Sequence, residues 1–177
     1  MLEGETVNLR VMEKEDIPLF VEWLNSLDVI SGDYDFLPQI SRAEMEKESE
    51  KPSDPLCKSF VIEKKDGSKI GSISHYPAGR HVELGFAIVP SERGKGYCSE
   101  AVQIMLDYLF LSKNIVRVQA HTNMKNIASQ KVLQKTGFTK EGTIRKYYFA
   151  RGKWNDNYLF SILREEWKEP KILTGTT

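Results

Sequence analysis

Two periods in the pattern of hydrophobic and polar residues predict the secondary structure of this chain. Alternation with period two, which sends successive side chains to opposite faces, predicts strands, whereas apolar residues three and four positions apart predict helices. Residues 1–167 are accordingly expected to form a single domain, followed by a frayed tail at residues 168–177. About seven strands are predicted, at residues 7–11, 59–63, 69–75, 81–89 and 115–120 and in two further segments between Phe138 and Leu163.

About four helices are predicted from capping signals and apolar stripes, which makes the fold a mixed α/β one. The first helix follows Asp16 as its cap, and the second starts at Ser41, where Glu44 completes a capping box. A third spans about residues 95–111 and a fourth residues 126–136. The third helix carries a stripe that is expected to face the sheet, formed by Cys98, Ala101, Val102, Met105 and Leu109.

Composition places the chain among soluble globular proteins. Of its 177 residues, 40% are hydrophobic and 28% charged, which is typical of one packed domain. No apolar run approaches the roughly 18 residues of a membrane span, and the N-terminus carries acids where a signal peptide has bases, so we expect a cytoplasmic protein. Two cysteines and three histidines without ligand spacing predict reduced thiols and no metal site.

Charge is balanced overall and uneven along the chain. Lys plus Arg number 25, as do Asp plus Glu, which disfavours a nucleic-acid binder that uses a general basic field. Residues 1–50 hold thirteen acids and four bases, whereas residues 131–153 hold seven bases and one acid. This separation favours a phosphate-bearing ligand near the C-terminal segment and a cationic one near the N-terminal segment, although solvated helix and strand faces would give the same pattern.

The predicted strand at residues 81–89 has one face with almost no side chains. Glu83, Gly85 and Ala87 share that face, because side chains alternate along a strand. Two minimal side chains beside an acid leave room for a ligand against the backbone, where a buried strand would ordinarily carry branched residues. The alternative is that Glu83 is an exposed acid on an edge strand.

A glycine-bearing turn connects this strand to the long helix. Its residues Arg93, Gly94, Lys95 and Gly96 lead into helical N–H groups that lack intrahelical partners and attract phosphate. The turn is not a Walker loop, which requires Gly-x-x-x-x-Gly-Lys-Ser/Thr, and it lacks the third glycine of a dinucleotide fingerprint. Two glycines before a helix also occur in ordinary tight connections.

Residues 93–98 resemble the Q/R-x-x-G-x-G/A signature of the GNAT superfamily of acetyl-CoA-dependent N-acetyltransferases, and they follow a strand that ends in Val-Pro. The resemblance covers about residues 5–165 and implies a mixed, mostly antiparallel GNAT-like sheet with splayed central strands. The order of the matching segments is similar to that of the RimJ/RimL-like branch, which acetylates protein N-termini: Val7–Arg10, Ile70–Ile73, Glu83–Phe86, Gly94–Ala101, Asn126–Ser129, Leu133–Phe138 and Glu141–Gly142.

This resemblance implies a site for acetyl-CoA. Its diphosphate would lie on the amides of residues 94–99, and its pantetheine arm would run beside the end of the strand as an added strand partner. Backbone amides near Val89 would be the oxyanion donors. The cofactor-binding residues implied in this way are Ile88, Val89, Arg93, Gly94, Lys95, Gly96, Tyr97, Cys98, Ser99, Asn126 and Ser129.

The resemblance also implies catalytic roles. Glu83 would be the general base, acting through water, and Ser129 the acid that protonates sulfur. Asn126 would bind the pantetheine, unless it and Ser129 serve only to cap the helix. The family's usual tyrosine acid, four positions after the serine, is Leu133 here. Tyr147 begins the stretch where some relatives carry an assisting acid, so the assignment of the base rests on Glu83 alone.

A primary amine is the implied acceptor. The branch resemblance favours a protein N-terminal α-amine, and a small-molecule amine such as an antibiotic or a polyamine is the alternative. Asp33, Tyr34 and Asp35 would meet a cationic acceptor or form a solvated loop. The rival class is a non-catalytic CoA-binding module. We expect a monomer or homodimer with no nucleic-acid or membrane partner.

Cys98 stands where the family has Gly or Ala, at the predicted start of the long helix. A helix N-terminus lowers the pKa of a thiol, so one interpretation is a reactive cysteine. The other is packing, since the same residue belongs to the apolar stripe.

Overall fold

The computed structural model describes residues 1–26, 39–50, 54–150, 152–168 and 170–172. The predicted acceptor residues Asp33, Tyr34 and Asp35 lie outside these ranges. In chain order, the elements are β1 (Leu2–Glu3), β2 (Val7–Val11), α1 (Ile17–Asn25), α2 (Arg42–Ser49), β3 (Lys58–Lys64), β4 (Lys69–Ala78), β5 (His81–Ile88), α3 (Tyr97–Ser112), β6 (Arg117–Asn123), α4 (Ile127–Lys135), β7 (Thr139–Ala150) and β8 (Lys153–Leu163).

The eight strands of the described ranges join one sheet, in the order β1-β2-β3-β4-β5-β6-β8-β7. Every neighbouring pair is antiparallel except β5 and β6, which run parallel. The prediction of a mixed, mostly antiparallel sheet is therefore confirmed. The short strand β1 is additional to the predicted ones, because two residues are too few to produce a recognisable alternation.

The two parallel strands in the middle of the sheet separate after a short contact. Their pairing consists of Val82 with Val118 and Glu83 with Gln119, although β5 continues to Ile88 and β6 to Asn123. The predicted splay of the central strands is confirmed. We call the space between the diverging ends the strand gap. On the side facing the gap, the part of β5 beyond Glu83 pairs with no strand in the described part of the chain.

Helix α3 supplies much of the hydrophobic core. Burial of apolar area is the main favourable term in folding, and this helix buries most of one side against the sheet. The predicted stripe is confirmed at Ala101, Val102, Met105 and Leu109, each with no exposed surface. Leu9, Ile62 and Ile73 from the sheet belong to the same buried cluster.

Side chains from distant parts of the sequence hold both ends of α3. Near its start, Glu100 accepts a hydrogen bond from the amide of Thr6 at 2.8 Å and another from the hydroxyl of that residue. At its end, the guanidinium of Arg164 donates to the carbonyls of Phe110 at 2.9 Å and Lys113 at 2.6 Å. The helix is thereby fixed between the β1–β2 turn and the end of β8.

Asp16 does not cap α1 with its side chain, contrary to the prediction. The buried carboxylate instead accepts hydrogen bonds from Arg10 at 2.9 Å, Lys69 at 2.6 Å and the Glu13 amide at 2.9 Å. The hydrogen bonds from Arg10 hold the pKa of Asp16 well below its usual range. A short 3-10 turn over Lys14–Asp16 precedes the helix. Ionic contacts with two strands therefore outweigh the local capping preference.

Three residues beyond β8 form hydrogen bonds with α3. The amides of Lys171 and Ile172 donate to the buried carboxylate of Asp107 at 2.9 and 2.7 Å. The indole of Trp167 donates to the same carboxylate at 2.9 Å. This part of the chain thus lies along α3.

Candidate active site

Two glycines shape the chain where the β5–α3 connection enters the first turn of α3. We call residues 93–99 the cofactor turn. Gly94 has φ of +77° and Gly96 φ of +90°, both in the left-handed region that favours glycine. A Cβ built on either residue would meet no atom within 4 Å. Gly96 is also the N-cap of α3, so the amides that follow it lack intrahelical acceptors. The turn therefore offers an open backbone surface at the positive end of a helix.

The cations of the cofactor turn are engaged with neighbouring groups. Lys95 forms an ion pair with Glu92 at 3.0 Å, and Lys64 lies 3.7 Å from the same carboxylate. The hydrogen bond from Lys95 contributes most to lowering the pKa of Glu92. Arg93 donates from Nε to the carbonyl of Ile88 at 3.0 Å. Glu92 therefore offsets part of the positive charge of the turn, and the predicted binding of an anion here would depend mainly on the backbone.

A cavity of about 240 Å³ borders the cofactor turn. It brings Lys95, Gly96 and Ser99 together with Lys135 at the end of α4 and Ile172 from the C-terminal segment. Lys135 belongs to the basic segment that the sequence associates with a phosphate-bearing ligand. The cavity therefore places one of those bases beside three predicted cofactor-binding residues.

The expectation of a lowered pKa at Cys98 is wrong. Burial raises the pKa of this thiol to about 12, because its partly buried, apolar surroundings solvate an anionic sulfur poorly. Cys98 packs against the hydrophobic cluster below α3. Packing, the second interpretation of this residue, agrees with the structure.

The strand gap exposes particular amides of β5. The Val89 amide donates to the carbonyl of Ile70 at 2.9 Å, so it faces β4 and is not free to act as an oxyanion donor. Because neighbouring residues of an antiparallel strand point their amides in opposite directions, those of Phe86 and Ile88 face the gap. These two N–H groups lie beyond the last β5–β6 pair. Among the amides near Val89, these two stay the candidate oxyanion donors.

Glu83 stands at the beginning of the strand gap. It is on a central strand, so the edge-strand interpretation is wrong, and 29% of its side chain is exposed. Its Oε2 atom lies 3.3 Å from Nε2 of Gln119 and 3.2 Å from Nε2 of His121. Burial opposes ionisation, but the hydrogen bond and charge of His121, with the Gln119 bond, lower the pKa of Glu83. The carboxylate is therefore anionic at neutral pH.

His121 and Tyr147 complete this arrangement. Sequence reasoning missed His121 and treated Tyr147 only as the start of the stretch where some relatives carry an acid. The His121 ring stacks on the Tyr147 ring, with centroids 4.6 Å apart and planes at 20°. Burial and the charge of Glu83 raise the pKa of Tyr147, so its phenol is neutral near pH 7. We call Glu83, His121 and Tyr147 the proton site. Its sequence signal is the polar alternation of Gln119, His121 and Asn123, which the strand prediction cut off at residue 120.

A bulge in β7 brings Tyr147 to the imidazole. Between Ile144 and Tyr148 the register with β8 shifts, which leaves three residues of β7 opposite Asp156 alone. Lys146, in the middle, has φ of +51°, and its amide donates to Oδ1 of Asp156 at 2.8 Å. The aspartate thus stabilises the backbone conformation that aims Tyr147 at β6.

Asn126 and Ser129 lie at the start of α4, just beyond the end of β6. The Asn126 side chain accepts a hydrogen bond from the Ser129 amide at 2.8 Å, which makes it the N-cap of the helix. Both residues are partly buried. The capping role is therefore observed, and contacts with pantetheine and sulfur stay predictions.

Comparison with known proteins identifies the family. A model described as an acetyltransferase (GNAT) domain matches residues 6–139. The chain belongs to the GNAT acetyltransferase family. It is 29% identical over 180 residues to an uncharacterized N-acetyltransferase, p20 of Bacillus licheniformis, a match that covers 94% of this chain and 97% of that protein.

The names of two further proteins that are similar to this acetyltransferase mention a substrate. YdaF of Bacillus subtilis strain 168, provisionally named a ribosomal N-acetyltransferase, is 30% identical over 109 residues, which is 60% of each chain. The crystal structure of spermidine N-acetyltransferase from Vibrio cholerae in complex with CoA and spermine has a TM-score of 0.84 at 23% identity, over 93% of this chain and 99% of that one. The second likeness shows the fold.

The protein is thus an acetyl-CoA-dependent N-acetyltransferase of GNAT type. Acetyl-CoA supplies the thioester whose acetyl group is transferred. The described residues fit this cosubstrate, because the cofactor turn leaves open space above Gly94 and Gly96 and β5 has unpaired amides along the strand gap. No group of three or more His, Cys, Asp or Glu in the described ranges is placed to hold a metal, and no helix there is long and apolar enough to span a membrane.

Proposed function

We propose that this acetyltransferase modifies the α-amino group at a protein N-terminus, as the RimJ/RimL-like resemblance implies. The observation that supports this acceptor is the position of Glu83 at the entrance to the strand gap, where, against the effect of burial, the contacts with His121 at 3.2 Å and Gln119 at 3.3 Å lower the pKa of its carboxyl group. A carboxylate with that property is a weak proton acceptor. An α-amine has a pKa of about 7.7–8.0 and a lysine-type amine one of about 10.4, so deprotonation costs about 3.5 kcal/mol less for the α-amine.

Each part of the site has one task in the proposed reaction. The amides of residues 94–99 bind the diphosphate, and the β5 amides beside the gap orient the pantetheine. The amides of Phe86 and Ile88 stabilise the negative charge that develops on the carbonyl oxygen. Glu83 accepts the amine's proton, directly or through water, and Ser129 protonates the departing sulfur.

Spermidine is the second candidate acceptor, and the non-catalytic module is not supported. The fold likeness to a spermidine N-acetyltransferase supports a polyamine, and the anionic Glu83 suits any cationic acceptor. For either acceptor, the match to an acetyltransferase family supports catalysed acetyl transfer rather than CoA binding alone. The two acceptors differ in the pKa of the amine that must lose a proton.

Three acceptors tested near neutral pH separate these alternatives. The first is a peptide with a free N-terminus and no lysine, the second is the same peptide with an acetylated N-terminus and one internal lysine, and the third is spermidine. Release of CoA thiol gives the rate, and mass spectrometry locates the added acetyl group. We expect turnover with the first peptide at least about tenfold above that with the other two.

The contrary results are equally specific. Turnover with spermidine and neither peptide would replace the α-amine by a polyamine. CoA binding in calorimetry, with no turnover of any acceptor, would leave the non-catalytic module as the better description.

A further inference from the structure

We propose that the acceptor polypeptide carries acidic side chains a few residues after its N-terminus, and that Arg145, Lys146 and Lys153 bind them. We call these three exposed residues of the β7–β8 hairpin the basic rim. The inference rests on the proposed function, because it names the class of N-terminus that the same site accepts. It also gives a role to three bases of the segment 131–153 that take no part in the proposed reaction.

The hairpin extends past the proton site at the end of the sheet where the strand gap opens. β6 pairs with β8 only as far as Asn123, which lies opposite Asn157, whereas the hairpin continues to the pair of Ala150 with Lys153. Because side chains alternate along β8, Lys153 shares a face of the sheet with Asn157. The register places His121 on that face as well. The end of the hairpin therefore lies beyond the proton site on the same face of the sheet.

Lys146 connects the basic rim to the proton site. It precedes Tyr147, whose ring stacks on that of His121 with centroids 4.6 Å apart, and His121 lies 3.2 Å from Glu83. The bulge in β7 fixes the backbone of Lys146 and leaves its side chain exposed. An extended peptide advances about 3.3 Å per residue. A peptide whose α-amine meets Glu83 therefore brings its third and following residues toward the rim.

The cations of the basic rim have no carboxylate partner among the described residues. The ion pairs found in the described ranges include neither Arg145 nor Lys146 nor Lys153. The two acids of β7 and β8 accept hydrogen bonds from other groups: Glu141 from a hydroxyl of β8, and Asp156 from the backbone amide of Lys146. The three positive charges are thus available to an acidic ligand.

The order of charges in this region fits a polypeptide that begins with a positive group and continues with negative ones. Glu83 is anionic and attracts the α-ammonium group before it loses its proton. The basic rim, farther along the same face, attracts carboxylates, which a guanidinium can bind through two hydrogen bonds. A polyamine is positive along its whole length, so the rim repels it. Charge at the rim therefore discriminates between acceptors that carry the same reacting group.

The first experiment compares three lysine-free peptides that share their first two residues. Positions three to six hold aspartate and glutamate in the first peptide, serine and glutamine in the second, and arginine in the third. We expect kcat/KM for the acidic peptide to exceed that for the neutral one by about tenfold, and the arginine peptide to be the poorest acceptor. The difference should lie mainly in KM, because contacts remote from the amine act equally on bound substrate and transition state. It should also shrink at high salt.

The second experiment reverses the charge of the basic rim. Lys146→Glu/Lys153→Glu should make the arginine peptide a better acceptor than the acidic one. A lower stability would reduce all three rates together and would not invert their order. The matched control is Lys58→Glu/Lys168→Glu, which changes the net charge equally at two exposed lysines, one at the start of β3 and one after β8. This control should keep the wild-type order of the peptides.

The outcomes distinguish this inference from the proposed function. Equal kcat/KM for the three peptides in the wild type overturns the inference and leaves N-terminal acetylation in place. An undiminished preference for the acidic peptide in Lys146→Glu/Lys153→Glu overturns the role of the basic rim. Acetylation of spermidine and of none of the peptides overturns both proposals. If the double variant does not fold, Lys153→Glu alone is measured, and it should reduce the preference for the acidic peptide at least about threefold; an unchanged preference overturns the inference.

Discussion

The cofactor turn and the proton site are built from the chain in different ways. The turn uses the backbone of consecutive residues, with left-handed glycines and free amides at a helix start. The proton site uses three side chains that arrive from β5, β6 and β7, separated by 38 and 26 residues along the chain. A short sequence motif is enough to predict a backbone site of this kind. A cluster of side chains from several strands depends in addition on the register in which those strands pair. The two should therefore respond differently to substitution.

The largest effect is expected at the proton site. Glu83→Gln should lower kcat about 10²- to 10⁴-fold near neutral pH and leave CoA affinity within about twofold, because the lost group acts on the amine. The pKa of Glu83 is lowered, so the wild-type carboxylate is ionised throughout this range. The deficit should shrink as pH rises above the pKa of the amine, where solvent removes the proton.

Thiol release measured across pH, with calorimetry for CoA, checks this expectation. The exposed Glu165→Gln variant is the control for losing one negative charge. Wild-type rates in Glu83→Gln at all pH values would show that the base lies elsewhere.

A matched pair of glycine variants isolates the backbone role of the cofactor turn. Gly96 has φ of +90° and Gly67 φ of +83°, and a Cβ on either meets no atom within 4 Å. Alanine should therefore cost a similar amount of stability at both sites, roughly 1 kcal/mol. Only Gly96→Ala should weaken CoA binding, by about tenfold or more in calorimetry. Equal affinities in the two variants would contradict the assignment of the turn.

A side chain farther along α3 tests whether the turn depends on its surroundings. Asp107→Asn weakens a buried acceptor of three hydrogen bonds and should lower the free energy of unfolding by about 1–3 kcal/mol in urea. CoA affinity should be unchanged if the backbone alone forms the site. Trp167→Phe, which removes one donor and keeps an aromatic ring, should have the smaller effect on stability. A large loss of affinity in Asp107→Asn would show that the C-terminal segment contributes to CoA binding.

The smallest effect is expected at Cys98, a residue of the cofactor turn whose thiol packs against the hydrophobic core. Because burial raises its pKa to about 12, the native thiol should resist alkylation by iodoacetamide at pH ~8 while Cys57 reacts, with both labelled in urea. Cys98→Ala should keep kcat within about twofold. Mass spectrometry of the labelled protein and thiol release check the two parts, and rapid native labelling of Cys98 would contradict its burial.

Local signals were enough for the turn and for much of the fold. The Ser41–Glu44 capping box forms as predicted, and the two-residue period identified β5 and its bare face. Such features depend on residues close together in the chain. The resemblance added the splay between β5 and β6, which no local pattern contains.

Features that depend on distant partners were predicted wrongly or missed. Asp16 stands directly before the first helix, where its residue type predicts an N-cap. In the folded chain, Arg10 and Lys69 bind its carboxylate instead. The position of Cys98 at a helix N-terminus predicts a lowered pKa for its thiol, but burial in the folded chain raises that pKa instead. His121 meets Glu83 only because β5 and β6 pair in one register, since a shift by one residue would turn its ring to the other face.

The hydrogen bonds that hold α3 at both ends should affect the entropy of CoA binding. Glu100 and Arg164 immobilise this helix before any cosubstrate arrives, so its leading amides need not be ordered on association. The entropy change attributable to that part of the protein should therefore be small. Removing the hydrogen bonds of either Glu100 or Arg164 by substitution would make the entropy of binding less favourable, although the amides proposed to contact the ligand would be unchanged.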